Sequence, residues 1–299
     1  MSEGNVEALL QQGKYGEALE VAATKLRSAR EVNDGAAIAL ALIDESRAEL
    51  ALGDRDHTVQ SVDEAISRAR RSFGPKDTHY VAALELGAEI AADANMPNVA
   101  EARFRAALDI LEETKVSGVL LLKTLFHHGV FRTTQEDIAG AARAFLSVIQ
   151  RTPADAAHDA LSYCAMAHTA LGRLAFQGGK PAQSRALGDR ALELWLTMGV
   201  ARRAEVADSM ALVGASALAE GDAEAAISFL ETANEIYERC TGDHKSAHAT
   251  CAFDFARALD AHGRKPEARA AYLRALDMFR EGDPVRLEIE QRLMDLARH

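Results

Sequence analysis

Small and large apolar residues recur at helical spacing along the chain. In the segment GRKPEARAAYLRALDMF, residues 263–279, Ala268 is followed by Tyr272 four residues later and by Ala275 three residues after that. Residues three and four apart share one face of an α-helix. This order predicts a helix that buries a small, a large and a small side chain in turn. A glycine opens the segment, as expected where a tight turn leads into a helix.

The same pattern recurs at intervals of about 40 to 43 residues, and a second helical stretch precedes each copy. The repeating unit is therefore predicted to be two antiparallel helices joined by a tight glycine turn. The small residues let the helices cross closely, and the large residue fills the gap between them. The first small residue of each copy is Ala18, Thr58, Ala100, Ala141, Ser184, Ala226 or Ala268.

These repeats predict an all-α fold. A lone helical pair leaves apolar surface uncovered, so about seven repeats over residues 5–280 are expected to stack into a single α-solenoid spanning residues 1–299. Aromatic residues make up only 5% of the chain, and few runs alternate as strands do. The final segment, DPVRLEIEQRLMDLARH, starts a helix at Pro284 and continues its apolar stripe through Ile289 and Leu293. We expect a capping helix at about 284–298.

The repeats resemble the tetratricopeptide repeat family. The period of about 42 residues and the links FGPKDTHYVA and CTGDHKSAHA are similar to the longer, kinesin light chain-like subtype, although the paired asparagines of that subtype are absent. The resemblance implies a right-handed superhelix, first helices that line a concave groove, and a protein or peptide as the ligand. Several copies carry the family's Leu-Gly pair before the turn, as in Leu86-Gly87, Leu171-Gly172 and, more loosely, Val213-Gly214.

Charge and cysteine content narrow the partners and the compartment. A net charge of −11 argues against nucleic acid, whose binding needs a basic face. The sequence has no apolar stretch of membrane-spanning length, and its start lacks the features of a secretory signal. Cys164, Cys240 and Cys251 are too few for a disulfide framework. We expect a cytoplasmic protein that binds neither nucleic acid nor membrane.

One segment, CTGDHKSAHATC, has metal-like spacing. Cys240, His244, His248 and Cys251 offer the two thiolates and two imidazoles of a tetrahedral zinc site. The alternative is that Cys251 and His248 continue an apolar stripe into the core, where free cysteine is a frequent buried residue. We favour the core interpretation and predict no metal and no cofactor.

The segment LFHHGVFR carries two adjacent histidines. His128 takes an inward position in the repeat register, whereas Phe126 and His127 lean toward the groove. An imidazole titrates near neutrality and is suited to acid–base chemistry. Such chemistry needs an orienting partner, and the sequence locates none. A histidine satisfied at a helix interface is the favoured interpretation.

The family's concave positions predict which side chains line the groove. Arginine there would grip carboxylates through its planar fork, and phenylalanine would bury apolar anchors of a partner. The asparagines that some family members use to clamp a chaperone's terminal carboxylate are absent, so that ligand is not expected. The predicted residues are Asp44, Arg47, Lys123, Phe126, His127, Arg173, Phe176, Gln177, Phe253, Asp254, Arg257 and Asp260.

The resulting functional prediction is a non-catalytic scaffold or adaptor that holds a segment of another protein. Phosphate loops, dinucleotide fingerprints and hydrolase motifs are missing, which argues against an enzyme. Two alternatives stay open: a ligand- or peptide-sensing regulator that acts through a separate output partner, and an enzyme with its active site in the groove. A closed pocket around Phe126, His127, Arg173 and Phe176 would favour either alternative. Homo-oligomers are also possible.

Overall fold

The computed structural model describes residues 6–53, 55–200, 203–240 and 244–298. Helices dominate these residues, and none of them lies in a β-strand. The chain packs into two compact units, residues 1–147 and 148–299. Each unit is described by itself.

Within the described residues, the first unit contains seven helices and most of an eighth. They are α1 (Val6–Gln11), α2 (Tyr15–Glu31), α3 (Gly35–Leu52), α4 (Arg55–Phe73), α5 (Thr78–Asp93), α6 (Pro97–Glu113), α7 (Val119–Thr134) and α8 (Ile138–Arg151), the last of which continues across the boundary between the units.

The second unit contains the remaining helices of the described residues. They are α9 (His158–Gln177), α10 (Pro181–Thr197), α11 (Ala204–Ala219), α12 (Ala223–Arg239), α13 (Lys245–Ala261), α14 (Lys265–Leu276) and α15 (Pro284–Ala297). The helices follow one another in seven consecutive pairs, α1–α2 to α13–α14, and α15 follows the last pair. This arrangement confirms the all-α helical-repeat fold.

The small-large-small pattern occupies the buried face of the second helix of each pair. Ala268, Tyr272 and Ala275 are all almost completely buried, as are the residues at the same three positions of every copy except the first, where Lys25 is exposed. In α15, Ile289 is fully buried against the apolar core of the second unit. Burial is confirmed at each predicted first small position: Ala18, Thr58, Ala100, Ala141, Ser184, Ala226 and Ala268.

The turn inside each pair places one residue in the left-handed region, but that residue is not always glycine. Asn95 has φ 58° and Glu136 has φ 59°, so the third and fourth turns depart from the predicted glycine turn. Asparagine tolerates this conformation better than most residues, whereas glutamate carries strain there. The other five turns use Gly13, Gly53, Gly179, Gly221 and Gly263.

Candidate functional site

An open groove in the first unit runs between α2 and α3 and reaches the start of α5. Its volume is about 1180 Å³. The predicted site residues Asp44 and Arg47 line it, and Val32 and Leu40 are 75% and 41% exposed there. We call this surface the α2–α3 groove. Its lining includes Val21, Lys25, Arg27, Ala29, Val32, Ala37, Leu40, Ala41, Ile43, Asp44, Arg47, His79 and Ala82.

Ion pairs engage three of the charged side chains that line this groove, Lys25, Asp44 and Arg47. Lys25 Nζ lies 3.4 Å from Asp44 Oδ2, and Arg47 Nη1 lies 3.6 Å from Glu7 Oε2. All four side chains are between a quarter and three fifths exposed, so these pairs contribute little to stability and exchange readily with other partners. The groove therefore combines apolar side chains with charges that a ligand can recruit.

The second unit places Arg173 and Asp208 on neighbouring first helices, α9 and α11. Arg173 Nη2 donates to Asp208 Oδ1 at 2.6 Å, and the same oxygen accepts from the Tyr237 hydroxyl at 2.7 Å. Burial and the Asp208 charge both raise the pKa of Tyr237, which keeps this donor protonated. Arg173 is nevertheless half exposed. Arg173 is thus already paired with the Asp208 carboxylate of its own chain, and the sequence did not predict this pair.

The predicted aromatic anchors of the second unit differ in exposure. Phe176 is 37% exposed at the end of α9, and Gln177 beside it is exposed. Phe253, in contrast, is buried, with its ring centroid 6.2 Å from that of Tyr272. Because α13 packs against α14 at this point, Phe253 belongs to the core and offers little surface to a partner.

Arg257 covers the buried ring of Phe253. Its guanidinium carbon lies 5.5 Å from the ring centroid, and its Nη1 donates to Asp254 Oδ1 at 2.9 Å. Burial raises the pKa of Asp254, and Arg257 partly offsets that effect. Arg257 remains 48% exposed. We call Arg173, Phe176, Gln177 and Arg257 the second-unit wall.

A compact charge cluster lies between α5 and α7 in the first unit. Lys123 Nζ donates to Glu85 Oε2 at 2.8 Å, and His127 Nδ1 lies 2.6 Å from Glu85 Oε1 and in contact with Glu89 Oε1. Glu85 is fully buried, and the other three side chains are about a quarter exposed. The sequence predicted Lys123 and His127 as groove residues but missed both glutamates, the orienting partners of His127.

Burial and charge act against each other in this cluster. Burial alone would lower the pKa of His127, but the Glu89 and Glu85 carboxylates outweigh it and raise that pKa to about 9. Burial and the neighbouring charge of Glu85 raise the pKa of Glu89 to about 7. Burial also opposes ionisation of Glu85, yet hydrogen bonds from Glu89 and His127 and the Lys123 charge lower its pKa.

His128, the neighbour of His127, is buried at a helix interface as predicted. Its Nε2 lies 2.9 Å from Glu101 Oε2, and its ring stacks on Phe104 with centroids 5.2 Å apart. Phe126 is partly buried against Phe145, with centroids 5.6 Å apart. Neither side chain is presented as an exposed anchor.

Among the described residues, the side chains of the cysteine–histidine segment do not converge on one point. Cys251 is buried and directs its thiol toward the Leu230 carbonyl oxygen, 3.7 Å away. His244 and His248 lie against the Tyr237 ring instead, with centroid separations of 6.5 and 5.5 Å. Within the part of the chain that the structure describes, Glu85, Glu89 and His127 are the one group whose ligand atoms converge.

No helix in the described ranges has the length and apolar character needed to cross a membrane.

Comparison with known proteins places the fold. Residues 203–281 match the family model described as tetratricopeptide repeat. No curated protein sequence matches the chain at a significant level. Among solved structures, a tetratricopeptide repeat protein from Parabacteroides merdae is 13% identical, has a TM-score of 0.55, and the match covers 98% of this chain and 96% of that one.

Two further structures share the fold. The apo form of the quorum sensor NprR from B. thuringiensis is 11% identical, with a TM-score of 0.64 and coverage of 98% of this chain and 85% of that one. A chain from the structure of the APC/C hetero-tetramer Cut9-Hcn1 is 13% identical, with a TM-score of 0.70. The match covers 97% of this chain and 48% of that one. Together, these comparisons show a tetratricopeptide repeat match at residues 203–281 and a helical-repeat fold shared with the matched structures.

Proposed function

We propose that this chain is a non-catalytic interaction scaffold that holds a segment of a partner protein in a groove between its helices. The observation that carries the proposal is the open α2–α3 groove, with exposed Val32 and Leu40 beside recruitable charges. The repeat length of about 42 residues adds the kinesin light chain-like subtype to this proposal. The three free thiols fit a reducing compartment, so we also propose the cytoplasm as the location.

The groove favours an amphipathic segment with acidic residues on its flank. Apolar side chains of the segment would cover Val32 and Leu40, which removes their surface from water. Lys25, Arg27 and Arg47 line the groove against the acidic Glu20 and Asp44, whereas the chain as a whole carries −11. With three basic and two acidic lining residues, this surface is close to neutral on an acidic protein, so it would repel acidic segments less than the rest of the chain does.

A displayed library of random peptides, selected on the full chain, tests this function. We expect enriched peptides that combine apolar residues at helical spacing with acidic residues. Leu40→Arg should weaken their binding by about thirtyfold, because truncating or charging a central apolar anchor costs about 2 kcal/mol.

The matched control is Leu146→Arg on α8. Leu146 is 45% exposed, close to the 41% of Leu40, and does not line the groove. It should leave binding unchanged. Selection of no peptide, or equal losses in the two variants, would contradict a docking role for the α2–α3 groove.

A ligand-sensing regulator is the second candidate, favoured by the likeness to the apo quorum sensor NprR. A sensor must change its conformational equilibrium when the ligand binds, whereas a scaffold need not. Small-angle scattering of the full chain with and without a selected peptide separates the two. An unchanged radius of gyration supports the scaffold, and a change supports the sensor.

A further inference from the structure

We propose that Glu85, Glu89 and His127 form a binding site for a divalent first-row transition ion, with Zn²⁺ as the test ion. The two glutamates lie four residues apart on one face of α5, and α7 places the imidazole opposite them. The Nδ1 atom and one oxygen of each carboxylate lie within 4.8 Å of one another. Small shifts of side chains on two regular helices suffice to bring all three onto one ion.

The donor set selects the class of ion. One imidazole nitrogen and two carboxylate oxygens suit Zn²⁺ and its first-row neighbours, whereas Mg²⁺ and Ca²⁺ prefer oxygen ligands alone. Glu85 is fully buried, but Glu89 and His127 are 28% and 24% exposed, so an ion can enter from their side. Three protein ligands leave at least one position for water or for a group from a partner.

Charge balance explains how the same residues remain stable without the ion. The two carboxylates face Lys123 and His127, whose positive charges compensate them at close range. A divalent ion supplies the same two charges from between the carboxylates, after the Nδ1 atom of His127 has released its proton to water, as an imidazole must do to bind a metal. Lys123, at 2.8 Å from Glu85 and 23% exposed on a long flexible stem, can then move its ammonium into water.

Lys123 therefore competes with the ion for the carboxylates, and a binding experiment can detect this competition. ZnCl₂ is titrated into the chelator-treated full chain by calorimetry at pH 7.5, with MgCl₂ as a comparison. We expect one equivalent of Zn²⁺ to bind and Mg²⁺ to bind far more weakly. Glu89→Gln and His127→Gln should each weaken Zn²⁺ binding about tenfold or more. Lys123→Met should tighten it several-fold.

Three controls test whether Zn²⁺ binding depends on this cluster alone. Cys240→Ser combined with His248→Gln removes two of the four residues of the other candidate ligand set and should bind Zn²⁺ like the wild type. Leu40→Arg, in the α2–α3 groove, should also bind Zn²⁺ normally. A failure of the ion-site proposal can therefore be distinguished from a failure of the docking proposal. Circular dichroism melts verify that each variant is folded. If His127→Gln does not fold, Glu89→Gln and Lys123→Met decide the outcome.

Four results would overturn the proposal. The first is that Zn²⁺ does not bind at concentrations up to about 1 mM, a weak-binding limit. The second is undiminished Zn²⁺ affinity in folded His127→Gln or Glu89→Gln. The third is weaker Zn²⁺ binding in Lys123→Met, and the fourth is loss of Zn²⁺ binding in the Cys240 and His248 double variant. In each case the cluster would act only as an internal ion-pair network between α5 and α7.

Discussion

The ring of Phe145 lies directly against the backbone of Gly129. A Cβ atom added at Gly129 would sit 2.6 Å from Cε1 of Phe145, closer than side chains approach one another in folded proteins. At Gly214 an added Cβ would sit 2.6 Å from Cγ of Leu230. The glycine of the first helix thus receives the large residue of the second helix. This contact sets how closely the two helices of a repeat cross.

Gly129→Ala should therefore destabilise the chain by about 1–3 kcal/mol, because the new methyl group overpacks the contact with Phe145. The loss should appear despite the gain of about 1 kcal/mol that alanine normally brings to a helix interior. Denaturant unfolding measures it. Gly16→Ala in α2 is the control, since no heavy atom lies within 4 Å of its added Cβ. Equal or higher stability of both variants would show that the helices do not cross closely at Gly129.

The small positions of the second helices can be tested in the second unit. Ala226 is fully buried, whereas Glu224 two residues earlier is exposed. Ala226→Leu should cost about 1–3 kcal/mol of unfolding free energy by overpacking. Glu224→Leu should stay within about 0.5 kcal/mol. Indistinguishable unfolding midpoints for the two variants would mean that the register of α12 is wrong.

Local periodicity explains why so much of the fold could be predicted. Burial of Ala226, Leu230 and Ala233 follows from their spacing on one helix, which the sequence displays directly. The turn at Glu136 could not be predicted, because its left-handed conformation contradicts the local preference of glutamate.

The charged partners were missed for a different reason. Arg173 and Asp208 are 35 residues apart, and Lys123 and Glu85 are 38 apart, so pairing them requires the registration of one helix on the next. In the sequence, glutamates at positions 85 and 89 look like an ordinary solvated helix face. Phe253 was misplaced for a similar reason, since its burial depends on how α13 packs against α14.

Glu101 should make the stability of the chain sensitive to acid. Partial burial raises its pKa, but hydrogen bonds from His128 and Arg105 outweigh that effect and hold the pKa below its ordinary value of 4.5. Arg132 Nη2 also donates to Glu101 Oε1 at 2.9 Å. A carboxyl group with a lowered folded-state pKa stabilises the fold above its unfolded pKa, and that stabilisation disappears as the pH falls through the folded value.

Glu101→Gln should thus cost about 1–2 kcal/mol at pH 7, the typical effect of losing hydrogen bonds to a charged group. The difference from the wild type should shrink as the pH falls below 4.5, the ordinary pKa. Denaturant unfolding at a series of pH values measures this. Glu31→Gln, at an exposed position, should show no such convergence. A constant difference between Glu101→Gln and the wild type down to about pH 3 would contradict the linkage.

The second-unit wall should bind peptides that do not depend on the α2–α3 groove. The probes are library-selected peptides that still bind the Leu40→Arg chain. Phe176→Ala removes an exposed apolar anchor and should weaken them by about thirtyfold, or 2 kcal/mol. Arg173→Ala should cost less, about tenfold, because a peptide carboxylate gains Arg173 only by displacing Asp208 from its 2.6 Å contact. Arg257→Ala should behave like Arg173→Ala, since Asp254 engages that guanidinium in the same way.

Asp208→Asn should strengthen peptide binding, whereas the alanine variants weaken it. The amide oxygen can still accept from the Tyr237 hydroxyl, which bonds Asp208 at 2.7 Å, but the charge that holds Arg173 is removed. Acidic peptides should then bind several-fold more tightly, mainly at low salt, because Arg173 is released without being lost. Arg274→Ala, at an exposed position on α14, is the control and should bind like the wild type. The contrary result is that Arg274→Ala loses the peptides while Arg173→Ala, Phe176→Ala and Asp208→Asn bind them unchanged. In that case the second helices carry the binding surface, and the second-unit wall is only a solvated face.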